Sequence, residues 1–223
     1  ANRHDLLVVE DTPYRALRYE GTHQPTLKSL DTEGRVVHLG SFSKILAPGM
    51  RLGWALAAPE ILGRLGLLKL AADTQCSTLN MAATSAYLAD YDIDAHISTM
   101  CAAYRSKRDT MLETLAATFP AGVTWTRPEG GLFTWVSFPE GFDTSVFMRD
   151  HALPRAKVAY VPGATFFPVD EEPRHARFSF SNSTPEQIVH GITALGSQWA
   201  QIEARLRAGR NAVRRMPEWD YFD

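Results

Sequence analysis

Residues 40–51 read Gly-Ser-Phe-Ser-Lys-Ile-Leu-Ala-Pro-Gly-Met-Arg and directly follow a short, mainly apolar run at residues 36–39. Glycine and proline turn a chain sharply, so the polar groups of Ser41, Ser43, Lys44 and Arg51 can converge on one small anion. A lone lysine in a loop usually faces solvent, but α/β sheets bind ligands at the carboxyl ends of their strands. The stretch therefore predicts an α/β fold with an anion site and an amine nucleophile after a strand.

A second polar cluster follows an earlier apolar run, Leu-Leu-Val-Val at residues 6–9. Such a run is typical of a strand buried on both faces of a parallel sheet. We expect Asp11 and Tyr14, which come directly after it, to lie on the same sheet edge as Lys44. Taken alone, Asp11 would be a turn residue before Pro13. A strand of this kind needs neighbours, so we expect the chain to start within a larger domain.

The next elements are two strands and three helices. Residues 36–40 and 52–57 have the pattern of sheet strands. Pro59 fits the first position of a helix, and Asn80 is a candidate cap for a second, so that both helices would cover the sheet. Apolar residues then recur near the helical period from 93 to 119, which predicts one long amphipathic helix.

After Pro120 the elements become shorter, which is typical of a small α/β domain. A short helix should begin at Thr144, and strands are expected at residues 123–125, 132–138, 158–161 and 176–180. Thr184-Pro-Glu-Gln is a capping box with proline at the first helical position. A final helix should begin there and bury its residues Ile188, Ile192 and Leu195.

The predicted strand around Arg177 supplies a third candidate for chemistry. On an alternating strand Arg177, Ser179 and Ser181 share one face, whereas Phe178 and Phe180 share the other. An inward Arg177 would be available to bind a carboxylate. The alternative is an arginine on the solvent face.

Composition narrows the class of protein. The 45% hydrophobic and 22% charged residues exclude disordered, collagenous and coiled-coil proteins. A formal charge of -2 argues against a broadly basic nucleic-acid surface and against an anionic membrane as partner. No run is long and apolar enough to span a membrane, no signal pattern begins the chain, and the seven histidines have no metal-ligand spacing.

Two further features concern the compartment and the end of the chain. Two cysteines, Cys76 and Cys101, are too few for a disulfide scaffold, so a reducing, cytoplasmic location is expected. A basic stretch at residues 205–215 predicts a solvated helix tail, with a nucleic-acid or partner arm as the alternative.

Taken together, these motifs resemble the class I/II fold-type I aminotransferases that use pyridoxal phosphate, and among them the kynurenine and 2-aminoadipate aminotransferases. The resemblance extends to about residue 200. It is carried by Asp11-Thr12-Pro13-Tyr14, Ser41-Phe42-Ser43-Lys44, Pro48-Gly49 with Arg51, Glu129-Gly130-Gly131-Leu132-Phe133, Pro162-Gly163 with Phe166, and Arg177 before Phe180-Ser181.

The resemblance implies a fold and a division of the chain. Residues 1–92 would be the C-terminal part of a large, mainly parallel-sheet domain that binds pyridoxal phosphate. Residues 93–119 would be the connecting helix, residues 120–204 a small C-terminal α/β domain and residues 205–223 a tail. Such enzymes are far longer, and their first half supplies further cofactor contacts. We therefore expect the chain to be a C-terminal part that, by itself, packs loosely and binds the cofactor weakly.

The resemblance also implies roles for residues. Lys44 would form the internal Schiff base and then move a proton between substrate and cofactor carbons. Asp11 would hold the pyridine nitrogen protonated, and Tyr14 would bond the phenolic oxygen. The phosphate would be bound by Ser41, Ser43 and Arg51. Arg177 would bind the substrate's α-carboxylate bidentately.

The implied function is amino-group transfer between an amino acid and a 2-oxo acid by a cytoplasmic homodimer. One alternative is the aminotransferase-like sensor domain of a winged-helix transcription regulator, for which a helix-turn-helix would precede this chain. Another is a pyridoxal phosphate cyclase, lyase or racemase, because one scaffold carries many reactions. The charge balance and the lack of a DNA-reading motif favour the enzyme.

Overall fold

The computed structural model of the protein describes residues 1–214, with side chains described through residue 204. The chain separates into two compact units: residues 1–105 together with Glu129–Gly131, and residues 106–128 together with the chain from 132 onward. Within the described residues, no helix combines the length and the apolar character needed to cross a membrane.

The first unit contains a three-stranded sheet in the order β1-β2-β3. Its strands are β1 (Val8–Asp11), β2 (Val36–Ser41) and β3 (Gly53–Leu56). The first pair is parallel, with Val8 opposite Val36, whereas β3 runs antiparallel to β2, with Ser41 opposite Gly53. The predicted strands at 36–40 and 52–57 are confirmed, and the structure adds their directions.

The expected burial of the first strand on both faces is wrong for this chain. The strand begins at Val8 rather than Leu6, because residues Asn2–His4 form a 3-10 helix and the Leu6 amide bonds back to the Ala1 carbonyl at 3.1 Å. Val9 is 64% exposed. Val9 and Asp11 lie on the same, exposed face of β1, which is also an edge strand that pairs with β2 alone among the described residues.

Helices α1 (Pro59–Asp73) and α2 (Thr78–Asp90) follow the sheet. Pro59 begins α1, as predicted. The cap of α2 is Ser77, whose hydroxyl accepts from the Asn80 amide; Asn80 lies inside the helix and donates its side-chain amide to the Met50 carbonyl at 3.1 Å. The proposed Asn80 cap is therefore wrong, since α2 begins at Thr78 and Ser77 already accepts the amide of the third helical residue.

The expectation that α1 covers the sheet is also wrong. No residue of α1 is buried, and Leu67 and Leu68 are 70% and 66% exposed. The leucines are distributed around the helix rather than along one stripe, a pattern typical of a helix enclosed on all sides. The described residues of the first unit do not enclose it.

The second unit holds a four-stranded antiparallel sheet in the order β4-β5-β7-β6. The long helix α3 (Ile93–Thr118), predicted from its period, passes from the first unit into this one. The strands are β4 (Thr124–Trp125), β5 (Phe133–Ser137), β6 (Val161–Pro162) and β7 (His175–Ser179). The predicted strand at 158–161 is reduced to β6, since only Val161 and Pro162 pair with β7.

The remaining helices are α4 (Thr144–Phe147) and α5 (Pro185–Arg214). Asp143 caps α4 by accepting from two backbone amides, and the π-helix then extends it, which the sequence pattern did not predict. The capping box of α5 is confirmed: Thr184 N donates to Gln187 Oε1 at 2.9 Å, and Gln187 N to Thr184 Oγ1 at 3.3 Å.

The core of the second unit lies between one face of its sheet and its helices. Every second residue of β5 is buried, including Val136, and β7 buries Ala176 and Phe178 on the same face and His175 on the other. Helix α5 buries Ile188, Ile192 and Leu195 as predicted. The opposite face of the sheet therefore presents the alternate residues, Arg177 among them. The side chains of the predicted basic stretch at residues 205–215 lie outside the described residues.

Candidate active site

The segment after β2 carries polar groups and leads into the start of β3. Phe42 N donates to the Leu52 carbonyl at 3.1 Å, which extends the antiparallel pairing by one residue. Ser43 follows Phe42 and Arg51 precedes Leu52, so each is one residue from this hydrogen bond along the chain. Ser43 N donates to Ser41 Oγ at 3.1 Å. Two hydroxyls and a guanidinium thus belong to the connection between β2 and β3.

Arg51 has an unusual backbone conformation for a side-chain-bearing residue. Its φ of 52° lies in the left-handed region, directly after the 3-10 helix Pro48–Met50. The strain is of the kind that proteins retain at functional sites. This conformation ends the 3-10 turn and returns the chain to Leu52, which is buried.

The end of β1 lies beside this turn. Asp11 is opposite Leu39 on β2, and Thr12 N donates to the Leu39 carbonyl at 3.2 Å. The ammonium Nζ of Lys44 lies 5.8 Å from the centroid of the Tyr14 ring, within range of a cation–π contact. Asp11 is exposed, whereas Tyr14 and Lys44 are partly buried. The structure thus brings Tyr14 and Lys44 together, and places Asp11 at the same carboxyl edge.

Glu10 precedes Asp11, and its carboxylate is engaged in hydrogen bonds to the backbone. Its carboxylate accepts the backbone amides of Leu27 and Lys28 at 2.8 and 2.9 Å. Desolvation raises the pKa of Glu10, but these two amides and nearby His38 lower it by more, so the net pKa lies below the ordinary value. Glu10 therefore anchors residues 27 and 28, which leaves Asp11 as the carboxylate available to a ligand.

A cleft of about 570 Å³ adjoins this edge, lined by Asp11 and Tyr14 and also by the segment Glu129–Gly131. Gly131 N donates to the Leu17 carbonyl at 2.7 Å, and Arg18 pairs with Glu129 at 2.5 Å. A Cβ at Gly130 would lie 2.7 Å from the Leu17 carbonyl oxygen, so only glycine permits this approach. The sequence signal for this contact was the pair Gly130 and Gly131, but the sequence did not indicate that Leu17 would be its partner.

A smaller interaction under the same edge was also missed. Thr12 Oγ1 and His38 Nε2 are 2.7 Å apart, and His38 is buried. The pair links the residue after β1 to the middle of β2 and so fixes the backbone that carries Asp11. Its only sequence signal was a histidine inside an otherwise apolar strand.

Arg177 belongs to the second unit, on the open face of β7. Phe178 and Phe180 on the other face are 3% and 0% exposed, so the predicted alternation is confirmed. Nε of Arg177 is buried and has no hydrogen-bond partner among the described residues. Arg174, by contrast, pairs with Glu172 at 3.2 Å. The Nε–H of Arg177 is thus unpaired within the described part of the chain, whereas that of Arg174 is taken by Glu172.

The donor set of the first unit fits pyridoxal phosphate. Hydroxyls and a guanidinium are phosphate ligands, and here Ser41, Ser43 and Arg51 share one turn. Lys44 supplies an amine for an aldehyde, Asp11 a carboxylate for a basic ring nitrogen, and a phenol lies beside the lysine. The residues that would hold this group therefore lie at or after the carboxyl ends of β1 and β2.

The sequence profile of the family "Aminotransferase class I and II" matches residues 1–195. The chain is 40% identical over 195 residues to the aromatic-amino-acid aminotransferase 1 of Thermococcus litoralis, covering 87% of this chain and 46% of that protein. It is 36% identical to the 2-aminoadipate transaminase of Thermus thermophilus, covering 86% and 48%. An HTH-type transcriptional regulator, NorG of Staphylococcus aureus, is 28% identical over 86% of the chain and 42% of that protein.

Solved structures show the same relationship. The crystal structure of the Pyrococcus horikoshii kynurenine aminotransferase in complex with PMP is 37% identical, with a TM-score of 0.86 over 90% of this chain and 49% of that one. The chain thus spans about half the length of the relatives that it matches. The profile match, the relatives and the shared fold establish that this chain belongs to the aminotransferase class I and II family, with the fold-type I architecture.

Proposed function

We propose that this chain carries the lysine-bearing part of the active site of a pyridoxal-phosphate-dependent aminotransferase, which moves an amino group between an amino acid and a 2-oxo acid. The observation that supports this most directly is the placement of Lys44 beside Tyr14, in a turn that also contains Ser41, Ser43 and Arg51. Bound pyridoxal phosphate would supply a protonated ring that stabilises negative charge at the substrate's α-carbon.

This chain's own residues would hold the reactants and move the proton. Ser41, Ser43 and Arg51 would bind the phosphate, and Asp11 would hold a proton at the ring nitrogen. Lys44 would take the proton from the substrate's α-carbon and pass it to the cofactor carbon. The Arg177 guanidinium would bind the α-carboxylate bidentately and so orient the bond that breaks.

We propose further that the enzyme acts as a cytoplasmic homodimer on small-molecule substrates. The leucines of α1, which are exposed around the helix, support a contact with further protein, since large exposed apolar surfaces are typical of interfaces. We also propose that residues 1–92 belong to a large cofactor-binding domain and 120–204 to a small domain, with 93–119 as the connecting helix. The continuous helix Ile93–Thr118 supports that connection.

The alternatives give different products, so one experiment separates them. The complete gene product, loaded with pyridoxal phosphate, is mixed with kynurenine, 2-aminoadipate or phenylalanine and with 2-oxoglutarate. We expect one equivalent of glutamate for each amino acid consumed, and none with Lys44→Ala. Racemised, cyclised or cleaved product without glutamate would contradict the proposal. Operator DNA binding without turnover would favour the regulator, whose relative is less similar, at 28% identity.

A further inference from the structure

The open face of the second unit's sheet carries aromatic rings around Arg177. Phe133 and Trp135 alternate on β5 with buried residues, and Trp135 lies directly opposite Arg177 on β7. The guanidinium carbon of Arg177 lies 4.1 Å from the centroid of the Phe133 ring and 5.0 Å from that of the Phe166 ring. The charged end of Arg177 therefore contacts two phenylalanine rings.

The guanidinium of Arg177 forms no salt bridge with the described residues. None of the ion pairs among the described residues includes Arg177, and its Nε is buried without a hydrogen-bond partner. A buried donor of this kind is costly when it is left unsatisfied, and a carboxylate is the ligand that suits it best. Something other than a salt bridge must therefore fix the direction of this side chain.

Resting on the proposed function, we propose that Phe133 and Phe166 are positioning residues, which orient the Arg177 guanidinium for the substrate's α-carboxylate. An aromatic face attracts a cation through its quadrupole and does not take up its N–H donors. A protein carboxylate would also hold the arginine, but it would compete with the substrate for the same donors. Two rings therefore orient the guanidinium and leave its N–H donors for the ligand.

The rings are themselves held in place. Phe166 meets the edge of Trp135 at a centroid distance of 5.4 Å, and Trp135 stacks on His175 at 5.5 Å. His175 in turn bonds Ser137 at 2.9 Å and Glu172 at 3.0 Å. Phe166 is 45% exposed, so its contacts with Arg177 and Trp135 account for the covered part of its ring.

The test measures binding of a carboxylate that has no amino group to react. The complete gene product, loaded with pyridoxal phosphate, is titrated calorimetrically with 3-phenylpropanoate and with its uncharged amide. We expect Phe166→Leu and Phe133→Leu each to weaken carboxylate binding about fivefold, the size of one cation–π contact, and to leave amide binding unchanged. Phe166→Tyr, which keeps a ring, should bind like wild type. The leucine variants should also lower kcat, because a mobile guanidinium orients the substrate less well.

Two further variants separate the outcomes. Phe167→Leu removes a neighbouring ring that stacks on His175 and should leave carboxylate binding unchanged. Arg177→Ala should abolish the preference for the carboxylate over the amide. If Arg177→Ala loses that preference while both leucine variants keep wild-type binding, the positioning role is wrong and the carboxylate site stands. If Arg177→Ala keeps it, both are wrong.

Discussion

Lys44 and Tyr14 meet at the carboxyl edge of the first sheet, with the lysine Nζ 5.8 Å from the centroid of the tyrosine ring. The two residues come from different strand ends, Tyr14 after β1 and Lys44 after β2. The parallel pairing of those strands is what places them on one edge. The sheet topology therefore assembles the pair from separate parts of the sequence.

Lys44 should be the residue that carries the cofactor. Borohydride reduction of the pyridoxal-phosphate-loaded protein, followed by peptide mapping, should place the pyridoxyl group on Lys44. Lys28 and Lys69 are internal controls, because their ammonium groups pair with Asp31 and Asp73 at 2.9 and 2.6 Å. A label on either of them, or no label at all, would contradict the assignment.

Asp11→Asn should leave the cofactor bound but lower kcat by about 100-fold or more, because an amide stabilises a protonated ring nitrogen less well than a carboxylate. Absorbance titration and steady-state kinetics measure the two effects. Glu10→Gln is the matched control, since Glu10 binds the Leu27 and Lys28 amides instead, and it should keep its turnover. Equal kinetic losses in both variants would show a structural effect only.

Arg51→Ala should have the opposite effect to Asp11→Asn and mainly weaken cofactor retention, because it removes a charged ligand of the phosphate. Dialysis followed by measurement of bound pyridoxal phosphate gives the retained fraction. Arg15→Ala is the control, since the Arg15 guanidinium donates to the Gln24 carbonyl at 2.7 Å and lies outside the turn. Retention that is equal in the two variants would remove Arg51 from the phosphate site.

Arg177→Lys should raise KM about tenfold and also lower kcat, because an ammonium cannot form the paired hydrogen bonds of a guanidinium. Initial rates across an amino-acid panel measure both constants. Arg174→Lys, which changes an arginine already paired with Glu172, should leave them near wild type. The reverse result would move the carboxylate site to Arg174.

Asp31→Asn should lower the free energy of unfolding at neutral pH. The Asp31 carboxylate accepts from Lys28 and from the amides of Val36, Arg35 and Glu33, and these hydrogen bonds hold its pKa well below its usual range. A depressed pKa stabilises the fold above the unfolded-state value of about 4, and that stability is lost as the pH falls through the folded value. Thermal melts of wild type and variant should therefore differ at pH 7 and converge in strong acid.

The control for this prediction is Asp90→Asn, which changes an exposed carboxylate at the end of α2. Its melting temperature should match that of wild type at both pH values. A difference between wild type and Asp31→Asn that is independent of pH would contradict the ionic explanation.

Gly163→Ala should destabilise the protein by about 1–3 kcal/mol, because the added methyl overpacks a close backbone contact. A Cβ there would lie 2.7 Å from the His175 carbonyl oxygen. Gly66→Ala in α1 meets nothing within 4 Å and should instead stabilise by up to about 1 kcal/mol. Denaturant unfolding of both variants measures the contrast, and equal stabilities would contradict the close approach of His175 to Gly163.

Local sequence patterns determined much of this protein. Features that depend on residues a few positions apart can be predicted without a structure. They include the capping box at Thr184 and Gln187, the proline that begins α1 and the alternation around Arg177. The polar turn at residues 40–51 is likewise predicted from local sequence, as an anion site, by its residue types and its position after a strand.

Only the tertiary structure decided the contacts between distant parts of the chain. The approach of Gly130 to Leu17, the rings of Phe133 and Phe166 at Arg177 and the antiparallel direction of β3 each depend on where separate segments lie in space. The exposure of α1 and of Val9 has the same cause. An apolar pattern states that a side chain favours burial, but the elements packed around it decide whether it is buried.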